Sequence, residues 1–166
     1  MPHRPRSAPS RHRTTMSVHP LIVHFPIALL LTSILADLLG LLRPGSVFKE
    51  IAFFLLILGA VGAIAAGVSG DRASETVAPL PALREAVEQH EDFGTGTIWL
   101  FLALLLARLY LVTKGRFVSI FRTTYLLISL IAGGLLMATG YSGGRLVYEY
   151  GAGVKSGMEQ PSRPEK

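Results

Sequence analysis

The stretch IAFFLLILGAVGAIAAGVSG, residues 51–70, contains no charged residue, and TTYLLISLIAGGLLMATGYSGG, residues 123–144, contains none either. An α-helix rises 1.5 Å per residue, so roughly 20 residues cross a hydrocarbon core about 30 Å thick. Four apolar runs of that length lie at about 20–42, 48–70, 93–113 and 118–140. Inside lipid the backbone must satisfy its own hydrogen bonds, which makes such uninterrupted runs helices. The sequence therefore predicts an all-α integral membrane protein, a bundle of four spans.

Composition agrees. Half of the 166 residues are hydrophobic and 16% are charged, against roughly 25% charged in an ordinary soluble domain. The absence of cysteine excludes disulfides, thiolate metal sites, iron–sulfur clusters and covalently attached c-type haem. The net charge of +5 is not a nucleic-acid signature. Arg4, Arg6, Arg11 and Arg13 cluster in the first 13 residues, and most other basic residues flank the apolar runs. Residues 1–17 have the composition of a disordered basic tail, with Met16 an alternative start. Residues 18–154 form the membrane domain, and 155–166 a second disordered tail.

The first helix is expected to open at His19-Pro20, where a proline's missing N–H costs little, and to close at Arg43-Pro44-Gly45. Helix 2 carries a stripe of small residues (Gly59, Ala63, Ala66, Gly67, Gly70) suited to close helix packing in lipid. Residues 71–92 form the only long polar connection. Its second half, Pro81 to Glu91, reads as a short amphipathic helix at the membrane interface, with Leu83, Ala86 and Val87 opposing Arg84, Glu85 and Glu88. No internal sequence repeat is evident. The last stretch, Gly140 to Val154, holds five glycines and is expected to leave the helix and cap one membrane face.

Short connections at 43–47 and 114–117 imply up-and-down topology. The start of helix 1, the end of helix 2, the start of helix 3 and the end of helix 4 then share one face. That face collects His19, His24, Asp71, His90, Glu91, Asp92, Tyr141, Arg145, Tyr148 and Glu149. Counting Lys and Arg with both tails gives this face ten and the other five, which by the positive-inside tendency alone would make it cytoplasmic.

A neutral imidazole is a common ligand for haem and transition metals. His24 lies inside helix 1 and His90 opens helix 3, and these two helices stand diagonally in an up-and-down bundle. Side chains from both then converge on the axis as candidate axial ligands of a haem b. Gly94, one turn beyond His90, would leave room for a flat macrocycle, and Arg145 is at the right depth to pair a propionate. Two alternatives stay open: a metal site made of His24, His90 and Asp71, or interfacial histidines bonded to Asp71, Glu91 or water. His19, ahead of the apolar run, reads as a capping or interfacial residue. Asp37 and Arg108, the charges deepest in the apolar runs, are expected to pair. No Ser–His–acid set, paired carboxylates or HExxH spacing is present, so the sequence offers no catalytic constellation.

The opening motif, His19-Pro20-Leu21-Ile22-Val23-His24-Phe25-Pro26-Ile27-Ala28, and the closing one, Gly143-Gly144-Arg145-Leu146-Val147-Tyr148 with Gly151 and Gly153-Val154, resemble a bacterial four-helix membrane family. This family is catalogued as domain of unknown function 2231. The resemblance covers about 18–154 and includes a histidine opening the third helix (His90) and an acid after the second (Asp71). Association of some members with c-type cytochromes or other redox modules implies an electron-transfer setting in the bacterial inner membrane. It also implies that the histidine face lies outside the cytoplasm and that the partner is a c-type cytochrome or another redox protein. The non-redox alternatives are a structural or interaction subunit and a small transporter.

Overall fold

In the computed structural model the described residues are 19–44, 46–74, 81–117 and 119–152, the side chains of 73 and 119 excepted. They form four helices: α1 (His19–Leu42), α2 (Phe48–Ser74), α3 (Pro81–Thr113) and α4 (Ser119–Tyr148). Each is long and apolar enough to cross a membrane. Neighbours around the bundle are α1–α2, α2–α3, α3–α4 and α4–α1, which leaves α1 and α3 on one diagonal, α2 and α4 on the other.

The buried positions explain this packing. In α1 they include Pro26, Leu30, Ser33, Asp37 and Gly40; in α3 they are Leu83, Thr97, Phe101, Leu104 and Arg108. These fall on stripes that advance alternately by four and three residues. Ala52, Leu56, Gly59 and Ala63 on α2 and Tyr125, Ser129, Ala132 and Leu136 on α4 follow the same rule. A stripe that repeats every seven residues is the seam of left-handed helix packing, in which each helix lies about 20° from its neighbour. Extended toward the helix starts, the α1 stripe reaches Val23 and His19, and the α3 stripe reaches Gly94 and His90.

The stripes also expose an internal repeat. Pro26, Leu30, Ser33 and Asp37 are each 71 residues before Thr97, Phe101, Leu104 and Arg108. Ala52, Leu56, Gly59, Ala60 and Ala63 are each 73 residues before Tyr125, Ser129, Ala132, Gly133 and Leu136. Every one of these positions is buried. The bundle is thus two helical hairpins of one design, α1–α2 and α3–α4, with α1 and α3 pointing the same way. Such parallel repeats are related by an axis along the membrane normal. Residue identity supports the repeat at the histidine end, where His19 matches His90 and Gly67, Ser69, Gly70 and Arg72 match Gly140, Ser142, Gly143 and Arg145, while many of the deeper buried positions keep burial without keeping the side chain.

Close approach within the first hairpin rests on glycine. A Cβ at Gly59 would lie 2.5 Å from Leu30 Cδ2, and one at Gly62 3.4 Å from the Pro26 ring. The small-residue stripe of α2 therefore works as expected, as a contact surface for α1 and, at Gly67, for Ile98 of α3. After Thr113 the chain turns on Gly115 at φ 62°, with the Arg116 N–H donating to the Leu111 carbonyl at 2.8 Å. This is the six-to-one bond of a glycine-capped helix end.

Two expectations are corrected. Pro81–Glu91 is not a separate interfacial helix but the first three turns of α3, because Leu83, Val87 and His90 are already in register with the buried stripe below them. At 33 residues α3 is about 50 Å long and projects well past the hydrocarbon. Likewise Gly140, Gly143 and Gly144 do not end α4, which runs on to Tyr148, so this part is no cap; residues 153–154 of that stretch lie outside the described set.

Candidate functional site

The histidines that meet are His19 and His90. Their ring centroids are 6.5 Å apart with planes at 76°, and both rings are partly buried. Both lie on the inward stripes, one from each hairpin and 71 residues apart in sequence. His24 lies off its stripe: it is exposed, and its Nδ1 bonds the Pro20 carbonyl of its own first turn. The structure therefore does not bring His24 and His90 together.

Each inward ring is held in the same way. His19 Nδ1 is 2.9 Å from Ser69 Oγ on α2, and that hydroxyl donates to the Ala66 carbonyl at 2.8 Å. His90 Nδ1 is 2.9 Å from Ser142 Oγ on α4, and that hydroxyl donates to the Thr139 carbonyl at 2.9 Å. A glycine follows each serine. A Cβ on Gly70 would meet His19 Cε1 at 3.0 Å, and one on Gly143 would meet His90 Cε1 at 2.9 Å. The rings thus lie against bare backbone, and a side chain at either position would push them away. One step deeper, Thr97 and Thr139 share a hydrogen bond of 2.9 Å between α3 and α4.

The other sequence candidates surround this pair without joining it. Gly94 is on the α3 stripe, with Thr139 Cγ2 3.9 Å from where its Cβ would be, which leaves space for a methyl group. Arg145 is engaged by Glu149 one turn on, at 2.8 Å, and its guanidinium holds the Glu149 carboxyl below the usual carboxylate value. Asp71 is exposed. Among the described residues no three of His, Cys, Asp and Glu are close enough to hold a metal ion, so His24, His90 and Asp71 do not form one ligand set.

At the opposite end the expected ion pair is present. Arg108 is 1% exposed, donates from Nη1 to Asp37 Oδ2, and donates from Nη2 to the Lys49 carbonyl at 2.8 Å. The rings of Phe53, Phe117 and Tyr125 surround its guanidinium at 5.4, 5.0 and 5.4 Å, within cation–π range. Asp37 and Arg108 are themselves equivalent positions of the two hairpins.

Sequence reasoning missed His19, Ser69, Gly70, Ser142 and Gly143. The available signal was the recurrence of Ser-Gly at 69–70 and 142–143, together with the seven-residue stripe that selects position 19 over position 24.

Four spanning helices closing around an interfacial pair of imidazoles define a small multi-pass membrane protein. The chain belongs to the family of predicted membrane proteins designated DUF2231, whose profile matches residues 15–156. Comparison with curated proteins and with solved structures finds no match.

Proposed function

We propose that this protein is a haem b-binding, electron-transfer-associated subunit of the bacterial inner membrane, with His19 and His90 as the axial imidazoles. The observation that carries the reading is the donor set itself. Two imidazoles, one from each hairpin, lie with ring centroids 6.5 Å apart, and no group of three or more His, Cys, Asp and Glu that could hold a metal ion is present among the described residues. A site with two imidazoles as its protein ligands suits a metal cofactor that would bring its remaining ligands with it.

When bound, the haem iron would supply one-electron chemistry. The protein's share is to present the two rings and to tie down their outer nitrogens. Arg145, one turn beyond Ser142 and now paired with Glu149, would hold a propionate at the membrane surface.

Orientation is part of the same proposal. Among the described residues the histidine face carries Arg72, Arg84 and Arg145 as its bases, against Arg43, Lys49, Lys114, Arg116 and Arg122 on the other. Setting the tails aside, the positive-inside tendency favours a histidine face outside the cytoplasm. That face also holds Asp71, Glu85, Glu88, Glu91, Asp92 and Glu149, which suits a basic soluble redox partner such as a c-type cytochrome.

The test is a reduced-minus-oxidised absorption spectrum of the detergent-purified protein, expressed with ample haem supply. The expected result is a six-coordinate b-type spectrum that is lost in His19→Ala and in His90→Ala but kept in His24→Ala. A folded, colourless wild-type protein overturns the haem reading. A spectrum lost on His24→Ala and kept on His19→Ala overturns the ligand assignment.

A further inference from the structure

The two histidines share a detail that helix packing does not require. A serine hydroxyl has one proton to donate. In each hairpin a backbone carbonyl three residues back lies in reach of that proton, Ala66 at 2.8 Å from Ser69 Oγ and Thr139 at 2.9 Å from Ser142 Oγ. A hydroxyl that gives its proton to that carbonyl acts toward the neighbouring imidazole as an acceptor. With the proton given to the carbonyl, His19 Nδ1 and His90 Nδ1, each 2.9 Å away, are the protonated nitrogens. Nε2 is then the nitrogen with the free lone pair in both rings.

The same chain of carbonyl, hydroxyl and imidazole occurs twice, at equivalent positions of the two repeats, each time with a glycine beneath the ring. Deeper in the seam several equivalent buried positions differ between the hairpins: Asp37 answers to Arg108, Leu30 to Phe101, Pro26 to Thr97. The imidazole, serine and glycine have not drifted.

We infer that Ser69 and Ser142 are positioning residues, each fixing its histidine as the Nδ1–H tautomer, so that the bundle is two copies of a one-ligand module offering two Nε2 lone pairs. This rests on the reading of His19 and His90 as a ligand pair and adds to it what sets their chemistry. A ligating histidine whose outer N–H is hydrogen-bonded is both oriented and made a better donor. Ser69-Gly70 and Ser142-Gly143 would supply that outer support from α2 and α4, while α1 and α3 supply the rings.

The experiment is nitrogen-15 NMR of histidine-labelled full-length protein in detergent, without added haem, above the pH at which the imidazoles are neutral. His19 and His90, assigned by single His→Gln variants, are each expected to show the Nδ1–H pattern, and His24→Gln to leave both unchanged. Ser69→Ala should move His19 alone toward Nε2–H, and Ser142→Ala should move His90 alone. Each shift should change the tautomer ratio about 5- to 10-fold, the worth of one hydrogen bond. Ser69→Thr and Ser142→Thr keep the hydroxyl and should restore the wild-type pattern, which separates a tautomer effect from a packing defect. An Nε2–H pattern in either wild-type ring overturns the inference. So does a tautomer ratio that Ser→Ala leaves alone in a protein of unchanged helicity and size. Because the readout needs no haem, a colourless protein would defeat the haem proposal and leave this result to be judged by itself.

Discussion

Among the described residues Arg108 is the largest fully enclosed side chain, and its charge is tolerable because Asp37, the Lys49 carbonyl and three aromatic rings surround it. Removing one partner of a buried pair leaves the other charge uncompensated, at a cost of about 3–5 kcal/mol. Asp37→Ala and Arg108→Ala are each expected to destabilise by that amount in a denaturant titration of the detergent-solubilised protein. Arg108→Lys should recover little, since an ammonium replaces the fork that reaches both Asp37 and Lys49. Because positions 37 and 108 are related by the repeat, the swap Asp37→Arg with Arg108→Asp should be milder than the sum of the two single changes; simple additivity would argue against the pairing. This pair was legible in the sequence, as the two charges set deepest in the apolar runs. The histidine pair was only half legible. His24 attracted attention by lying within the apolar run, yet the inward stripe passes through 19, 23 and 26, and one position off a stripe is a rotation of about 100°.

Among the elements, α1 and α2 make the tightest approach. Gly59→Leu drives a side chain into Leu30 at a point where even a Cβ would stand at 2.5 Å. It is expected to destabilise by about 1–3 kcal/mol or more through overpacking, read as a fall in thermal midpoint. Gly134→Ala, with nothing within 4 Å of the new methyl, should be neutral or slightly stabilising, since alanine is the better helix former. The continuity of α3 has its own test. If Pro81–Glu91 were a separate helix, Glu91→Pro would fall in a joint and do little. In a single helix it removes a backbone hydrogen bond and clashes one turn back, for about 3 kcal/mol. Circular dichroism and the His90 NMR signal should both change. Composition showed the amphipathic turns of 81–91 but not whether they join the span, because a polar face beside an apolar one suits an interface and a projecting helix equally. The register of Leu83, Val87 and His90 with Thr97 and Phe101 was the deciding signal.

At the scale of the whole molecule the fold class and span number followed directly from the apolar runs, since lipid permits little else. The two-hairpin repeat is written in the sequence only in short form, as Gly-x-Ser-Gly-x-Arg at 67–72 and again at 140–145, because lipid-exposed positions are nearly free to vary among apolar residues and dilute the identity between halves. Orientation is a property of this scale. A periplasm-active phosphatase fused after Ala152 is expected to be active and one inserted at Gly115 inactive; the reverse result would place the histidine face in the cytoplasm.

The pairing of Asp37 with Arg108 also sets a schedule. The two residues are 71 positions apart, and a ribosome adds about 5–20 residues per second. For roughly 4–14 s of every synthesis, then, the acid has been made and its partner has not. During that interval the first hairpin must enter the membrane with an unmatched carboxyl on its inner seam. Asp37 stands little more than a turn from the end of α1, close enough to the headgroups to wait there in contact with water. The second hairpin, arriving with the arginine, draws it in and closes the bundle, so the order in which the halves are translated is also the order in which the charges can be buried.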